Sequence, residues 1–200
     1  MRLRSFIPTT ISIAHEAVNL IVKNEPTLSV QSALDNRGRL ISYAVDKGFE
    51  RLIESGNWPF DKRWAKFSKP TGHYLEIRTS HGVLTISQVD DPTVQPRDVK
   101  FRANLRHSQQ LPLPLVELAD DMEIVGVPHI LLVHGHQQPK FSHLGLPNER
   151  HDQGYIYRSP NLMNMPREVP APMPPVEQTD IEAVVTLKEE IDKWRRDNGR

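Results

Sequence analysis

Three histidines fall within residues 131–146, which read LLVHGHQQPKFSHLGL, and imidazole can bind a metal ion or transfer a proton near neutral pH. If the turn of a hairpin is centred on the Gln-Pro pair, His134 lies opposite His143. His136 then shares their face, because side chains alternate along a strand. This register predicts a metal-binding or acid–base site made of the three histidines. The alternative is a set of partly buried histidines bonded to backbone or carboxylates, and a three-residue loop would change the register.

A second chemical set lies in VDDPTVQPRDVKFR and consists of Asp91, Asp98 and Lys100. A nuclease of the PD-(D/E)XK type has an aspartate at one strand end and a (D/E)XK triplet on the next strand. Its carboxylates hold magnesium and its lysine stabilises charge. The order of helix, strands, triplet, helix and strand loosely resembles the core of that fold, which implies a metal-dependent hydrolase. Because Pro92 and Pro96 interrupt the segment, the other interpretation is a solvated charged loop.

A third set combines aromatic and basic side chains over residues 58–69. Aromatic rings can stack on bases while lysine and arginine bind phosphates, so the pattern is typical of a nucleic-acid surface. The other interpretation is that the rings anchor the connection to the core while the charges face water. The predicted residues for binding a partner or nucleic acid are Trp58, Lys62, Arg63, Trp64, Lys66 and Lys69, together with Trp194 in the last predicted helix.

The composition limits the classes of function. Lys and Arg number 25, equal to Asp and Glu, and this neutrality argues against a protein that mainly coats nucleic acid. Without cysteine there is no disulfide, thiolate zinc site or cysteine nucleophile. The sequence has neither a Gly-rich phosphate loop nor a G-x-S-x-G elbow. Polar residues interrupt the apolar N-terminal stretch, so we expect a soluble, cytoplasmic protein with no membrane association.

The elements that must position these residues follow from local patterns. Two amphipathic helices are predicted near the start, one capped by Thr9 or Thr10 and one ending at Gly56. Alternating β-branched and aromatic residues in HYLEIRTSHGVLTISQV predict a hairpin, residues 131–146 predict a second, and GYIYRSP predicts an edge strand. Residues 98–106 fit either a short strand or a short helix.

These elements predict an α+β fold, with one antiparallel or mixed sheet built from two β-hairpins and with helices packed against it. We expect the globular domain to span residues 1–160. A proline-rich tether over 161–178 and a C-terminal amphipathic helix over 179–200 follow.

Two functional hypotheses follow from these sets. The preferred one is an intracellular binding or regulatory module that engages a protein partner, a second copy of itself or nucleic acid. It would do so through the aromatic and basic surface or the last helix. The alternative is a metal-dependent hydrolase, either PD-(D/E)XK-like or histidine-ligated, with a divalent metal as its cofactor.

Overall fold

The computed structural model describes residues 2–67, 72–107 and 127–169. By its internal contacts the chain divides into two units, Met1–Pro170 and Ala171–Arg200. The predicted C-terminal helix with Trp194, the later part of the predicted tether, and Lys69 lie outside the described residues.

The described residues contain four α-helices and six β-strands. The helices are α1 (Phe6–Asn24), α2 (Gln31–Asp35), α3 (Arg37–Glu54) and α4 (Lys100–His107). The strands are β1 (Asp61–Lys66), β2 (His73–Thr79), β3 (Gly82–Val89), β4 (His129–Gly135), β5 (Ser142–Pro147) and β6 (Tyr155–Arg158). Single 3-10 turns occur at Arg2–Ser5, Pro26–Ser29, His151–Gln153 and Leu162–Asn164.

The strands form one mixed sheet in chain order, from β1 at one edge to β6 at the other. The central pair, β3 and β4, is parallel, and every other neighbouring pair is antiparallel. A parallel pair needs a crossover connection, and α4 belongs to it. The fold is therefore α+β with a mixed sheet, as the sequence predicts, and it has hairpins at β2–β3 and β4–β5.

The core lies between one face of the sheet and the helices α1 and α3. In α3 the buried side chains are Ile41, Val45, Phe49 and Leu52, at the three- and four-residue spacing that places them on one helical face. The two helices approach closely, because a Cβ atom at Gly48 would lie 2.8 Å from Cγ2 of Thr10. The core extends to Leu162, past residue 160, where the globular domain was predicted to end.

The opposite face of the sheet is more polar and is contacted by α4. Phe101 of α4 lies with its ring centroid 4.1 Å from that of Tyr74 on β2, and Arg102 donates to Oγ of Ser87 at 2.9 Å. Beside them, Oγ1 of Thr85 and Nε2 of His129 share a hydrogen bond of 2.9 Å. Residues 98–106 are thus helical from Lys100 onward and contain no strand.

Helix α1 begins earlier than its sequence predicts. Thr9 and Thr10 are buried inside the helix, where Oγ1 of Thr10 donates to the carbonyl of Phe6 at 2.8 Å, so the predicted cap was wrong. Burial of Phe6 and Ile7 extends the helix toward the N-terminus, since packing outweighs capping preference. The stretch Leu3–Asn24 is long and apolar enough to cross a membrane by length and composition. This is weak evidence for a membrane span, because core helices of soluble proteins meet the same criteria and 56% of its most apolar 18-residue window is buried.

Candidate functional site

The three histidines of the β4–β5 hairpin do not converge. The observed register pairs His134 with Ser142 and Val133 with His143, one residue away from the predicted pairing. The N–H of Gly135 donates to the carbonyl of Phe141, which leaves an odd number of residues, 136–140, in the connection. Because a shift of one residue reverses every side chain, His143 lies on the opposite face from His134, and the predicted register was wrong.

His143 instead belongs to the polar side of the sheet. The residue is 3% exposed, and its ring centroid lies 5.4 Å from that of Tyr155 in an edge-to-face arrangement. Burial lowers the pKa of His143 to about 4. The side chain is therefore a neutral, packed imidazole at neutral pH.

His134 faces the helices, where it meets a histidine that the sequence analysis did not single out. His15 of α1 and His134 are 2% and 0% exposed, and their ring centroids lie 5.9 Å apart at an angle of 83°. Nδ1 of His134 lies 3.0 Å from the carbonyl of Gly135, and because a carbonyl only accepts, this nitrogen carries the proton. A signal for His15 was its place between Ile11 and Val18 on the buried stripe of α1.

The His15–His134 pair is neutral at physiological pH. Burial lowers the pKa of both imidazoles to about 4, and the positive charge of Arg37 contributes at His15. Both nitrogens of His15 and Nε2 of His134 have no hydrogen-bond partner within the described part of the chain. Each such buried atom costs about 1–3 kcal/mol, and a positive charge there would cost more.

His136 lies beside this pair and joins three elements. Its Nδ1 donates to Oε1 of Gln88 at 2.9 Å, and Nε2 of Gln88 donates to the carbonyl of Gly38 at 2.9 Å. A Cβ atom at Gly38 would lie 2.1 Å from Cε1 of His136, so any other residue at this position in α3 would displace the imidazole. Among residues 2–67, 72–107 and 127–169, no group of three His, Asp or Glu residues is placed to hold a metal ion.

The acidic set is dispersed. Asp91 follows β3 and accepts from the N–H and Oγ1 of Thr93 at 2.7 and 2.6 Å, which lowers the pKa of its carboxyl group. Asp98 precedes α4 and pairs with Arg106 at 2.6 Å, while Lys100 begins that helix. The expected placement of the triplet on a strand was therefore wrong. Strand β3, with the sequence GVLTISQV, has neither an acidic residue nor a lysine.

The aromatic residues of the 58–69 run divide between core and surface. Trp58 is 3% exposed, and its ring centroid lies 5.1 Å from that of Phe49 and 5.2 Å from that of Phe60. Its Nε1 donates a hydrogen bond to the carbonyl of Leu3 at 2.8 Å. Trp64 is 45% exposed on β1. Trp58 is therefore an anchor between the first turn and the core, as the second interpretation of this run expected.

Two basic residues of the same run, Lys62 and Arg63, form ion pairs within the chain. Nζ of Lys62 lies 2.6 Å from carboxylate oxygens of both Glu50 and Glu54 on α3. Nε of Arg63 lies 2.6 Å from the buried carboxylate of Glu76. These residues lie on β1 with Trp64 and Lys66, a strand that the sequence analysis did not predict. The ion pairs reduce the positive charge that this strand offers to a phosphate.

A pocket with a volume of about 610 Å³ opens at the opposite end of the sheet from His134 and His136. It lies between the start of α1 and the residues where β2 ends and β3 and β4 begin. Its apolar walls are formed by Leu3, Ile7, Trp58, Phe60, Leu84, Ile130 and Leu144. No local sequence pattern indicates this pocket, because its walls come from five separate segments. Of the wall residues, only Trp58 belongs to a predicted site.

The rim of the pocket is polar. It consists of Arg4, before α1, and of Thr79, Ser80 and His81 at the β2–β3 turn. Oγ of Ser80 lies 2.6 Å from Nδ1 of His81, and Oγ1 of Thr79 donates to the carbonyl of Gly82 at 2.9 Å. The site is thus an apolar cavity with a few polar groups at its mouth.

The chain matches no protein-family model. Searches of curated proteins and of solved structures found no match either. An interpretation of function therefore depends on the chemistry of the sites described above.

Proposed function

We propose that this protein is a non-catalytic binding module that takes an apolar ligand into the pocket lined by Leu3 and Trp58. The observation that carries the proposal is a cavity of about 610 Å³ with apolar walls and a polar rim. Ligand sites in proteins commonly have volumes of about 300–1,000 Å³, apolar walls and a few polar groups that orient the ligand.

The driving force is the removal of apolar surface from water. A ligand that loses about 200 Å² of apolar surface gains roughly 5 kcal/mol at about 25 cal/mol per Å². Lost motion of the ligand offsets part of this gain, so the net binding free energy is below that figure and an unoptimised ligand is expected to bind with a Kd of about a millimolar. Trp58 is already held by its bond to the Leu3 carbonyl, so the floor of the pocket is ordered before binding.

The other sites support a catalytic or nucleic-acid function less well. The His15–His134 pair is buried, and no carboxylate of the described residues forms a hydrogen bond with either imidazole. Asp91 and Asp98 are engaged with Thr93 and Arg106. Lys62 and Arg63 are paired with glutamates, which weakens the case for phosphate binding. Binding of an apolar ligand needs none of these groups.

Methyl-selective NMR during titration with octanol tests the proposal on the full chain. We expect shifts at Ile7, Leu84, Ile130 and Leu144, and little change at the distant Leu20 on α1. Scattered shifts, or no shifts at all up to the solubility limit of octanol, would refute a ligand site here.

A pocket-filling variant provides the second measurement. Leu3 is 36% exposed at the pocket wall, so Leu3→Trp should fold and occupy the cavity with its indole. We expect it to weaken octanol binding about tenfold, whereas Leu20→Trp, at a side chain that is 59% exposed elsewhere on α1, should leave the Kd unchanged. Equal affinities in both variants would place the octanol outside the pocket.

A further inference from the structure

We propose that the ligand of this pocket is a small amphiphile with a carboxylate head, whose head meets Arg4 while its alkyl or aryl part fills the cavity. This inference depends on the proposed function and adds the charge of the ligand to it. It follows from which charged groups surround the cavity and which are already paired.

Among the described residues that line the pocket, Arg4 is the one with a full charge at neutral pH, and none is an Asp or a Glu. Arg4 is exposed, and within residues 2–67, 72–107 and 127–169 no carboxylate forms an ion pair with it. Glu168 lies near this region of the chain, since its N–H donates to the carbonyl of Ser5 at 3.2 Å, but its side chain does not line the pocket. The mouth of the cavity therefore has a positive charge that a ligand can neutralise.

Three other arginines have polar partners among the described residues. Arg63 is engaged by Glu76, Arg106 by Asp98, and Arg37 by the side chain of Asn19 and the carbonyl of Gln137. Arg4 is thus an arginine that stands beside an apolar cavity with its guanidinium free of described carboxylates.

A single guanidinium suits a carboxylate better than a phosphate. The planar fork of an arginine matches the two oxygens of a carboxylate, whereas phosphate sites in proteins usually combine several cations or backbone N–H groups. The other polar side chains among the described lining residues are the hydroxyls of Thr79 and Ser80 and the imidazole of His81, none of which is acidic. A cationic head would find no carboxylate among the lining residues.

The size of the preference follows from the exposure of Arg4. An ion pair at a solvent-exposed site contributes about 0.2–1 kcal/mol, which corresponds to at most about a fivefold change in Kd. The apolar part of the ligand therefore supplies most of the affinity, and Arg4 supplies the selection between head groups. The preference should decrease as salt concentration increases, because exposed charges are screened.

Calorimetric titration of the full chain with octanoate, octanol and octyltrimethylammonium tests this inference, since the three probes share one alkyl chain. We expect octanoate to bind about threefold to fivefold more tightly than octanol and octyltrimethylammonium to bind more weakly than both. Arg4→Gln should abolish the difference between octanoate and octanol. Arg39→Gln, at an exposed position on α3 near the other end of the molecule, should preserve it.

The outcomes separate the two proposals. Failure of all three probes to bind would overturn the proposed function. Equal binding of octanoate and octanol, weakened to the same extent by Leu3→Trp, would retain the pocket as a ligand site and overturn the carboxylate inference. A preference for octanoate that survives Arg4→Gln would overturn the role of Arg4, and tightest binding of octyltrimethylammonium would overturn the sign of the charge.

Discussion

Acid should destabilise this protein through its buried histidines, and His134 allows the effect to be measured. Burial lowers the pKa of His134 from 6.5 to about 4 in the folded chain. When the pH falls below 6.5, the unfolded chain takes up a proton at this imidazole and the folded chain does not. The stability that the neutral imidazole provides is therefore complete above pH 6.5 and is lost as the pH falls toward about 4.

The magnitude follows from the two pKa values. The difference between 6.5 and about 4 corresponds to about 3 kcal/mol for this one group, at about 1.4 kcal/mol for each pH unit. Domains of ordinary stability unfold with about 5–15 kcal/mol, so one such group accounts for a large fraction. His15, His129 and His143, whose pKa values burial also lowers, add to the acid sensitivity.

Urea unfolding followed by circular dichroism at several pH values between 7 and 4 measures this effect. His134→Asn retains a donor for the Gly135 carbonyl, since the amide nitrogen occupies the place of Nδ1, but it cannot titrate. We expect the decrease in unfolding free energy over this pH range to be smaller by about 3 kcal/mol than in the wild type. The exposed His81→Asn should leave it unchanged. An identical decrease in His134→Asn and wild type would refute the reasoning.

Three further predictions concern the same elements. Gly38→Ala should lower the free energy of unfolding by about 1–3 kcal/mol, because its Cβ would meet His136, and unchanged denaturant melts would contradict this contact. Glu76→Ala should lower the free energy of unfolding by about 2–3 kcal/mol, because its buried carboxylate accepts hydrogen bonds from Arg63 and Tyr74. Glu54→Ala, at a more exposed ion pair, should lower it by less than about 1 kcal/mol. Equal losses of stability in thermal unfolding of the two variants would contradict this difference. Elemental analysis of the purified protein should find far less than one zinc per chain, and a stoichiometric zinc that is lost in His134→Asn would show that the described placement of the histidines is not the metal-bound one.

Several elements could be predicted because their signals are local. The spacing of Ile41, Val45, Phe49 and Leu52 identifies the buried face of α3, and Gly56, with a φ of +73°, ends the helical region as expected. Alternation in the β2 and β3 segments identifies the hairpin around Ser80 and His81. Each of these features depends on residues that are close together in the sequence, so the sequence alone was sufficient for the α+β class.

The candidate site depended on relationships that no local pattern contains. An odd connection at residues 136–140 shifted the β4–β5 register and separated His134 from His143, and the packing of α1 on the sheet brought His15 to His134 instead. Strand β1 was missed because its residues are mostly polar and because, among the described strands, it is an edge strand that pairs with β2 alone. The amino-acid sequence thus determined the long helices α1 and α3 and the β2–β3 and β4–β5 hairpins, through propensity and periodicity. Only the tertiary structure decided which side chains meet at the histidine pair and around the pocket, because those contacts join segments far apart in the chain whose alignment is set by packing.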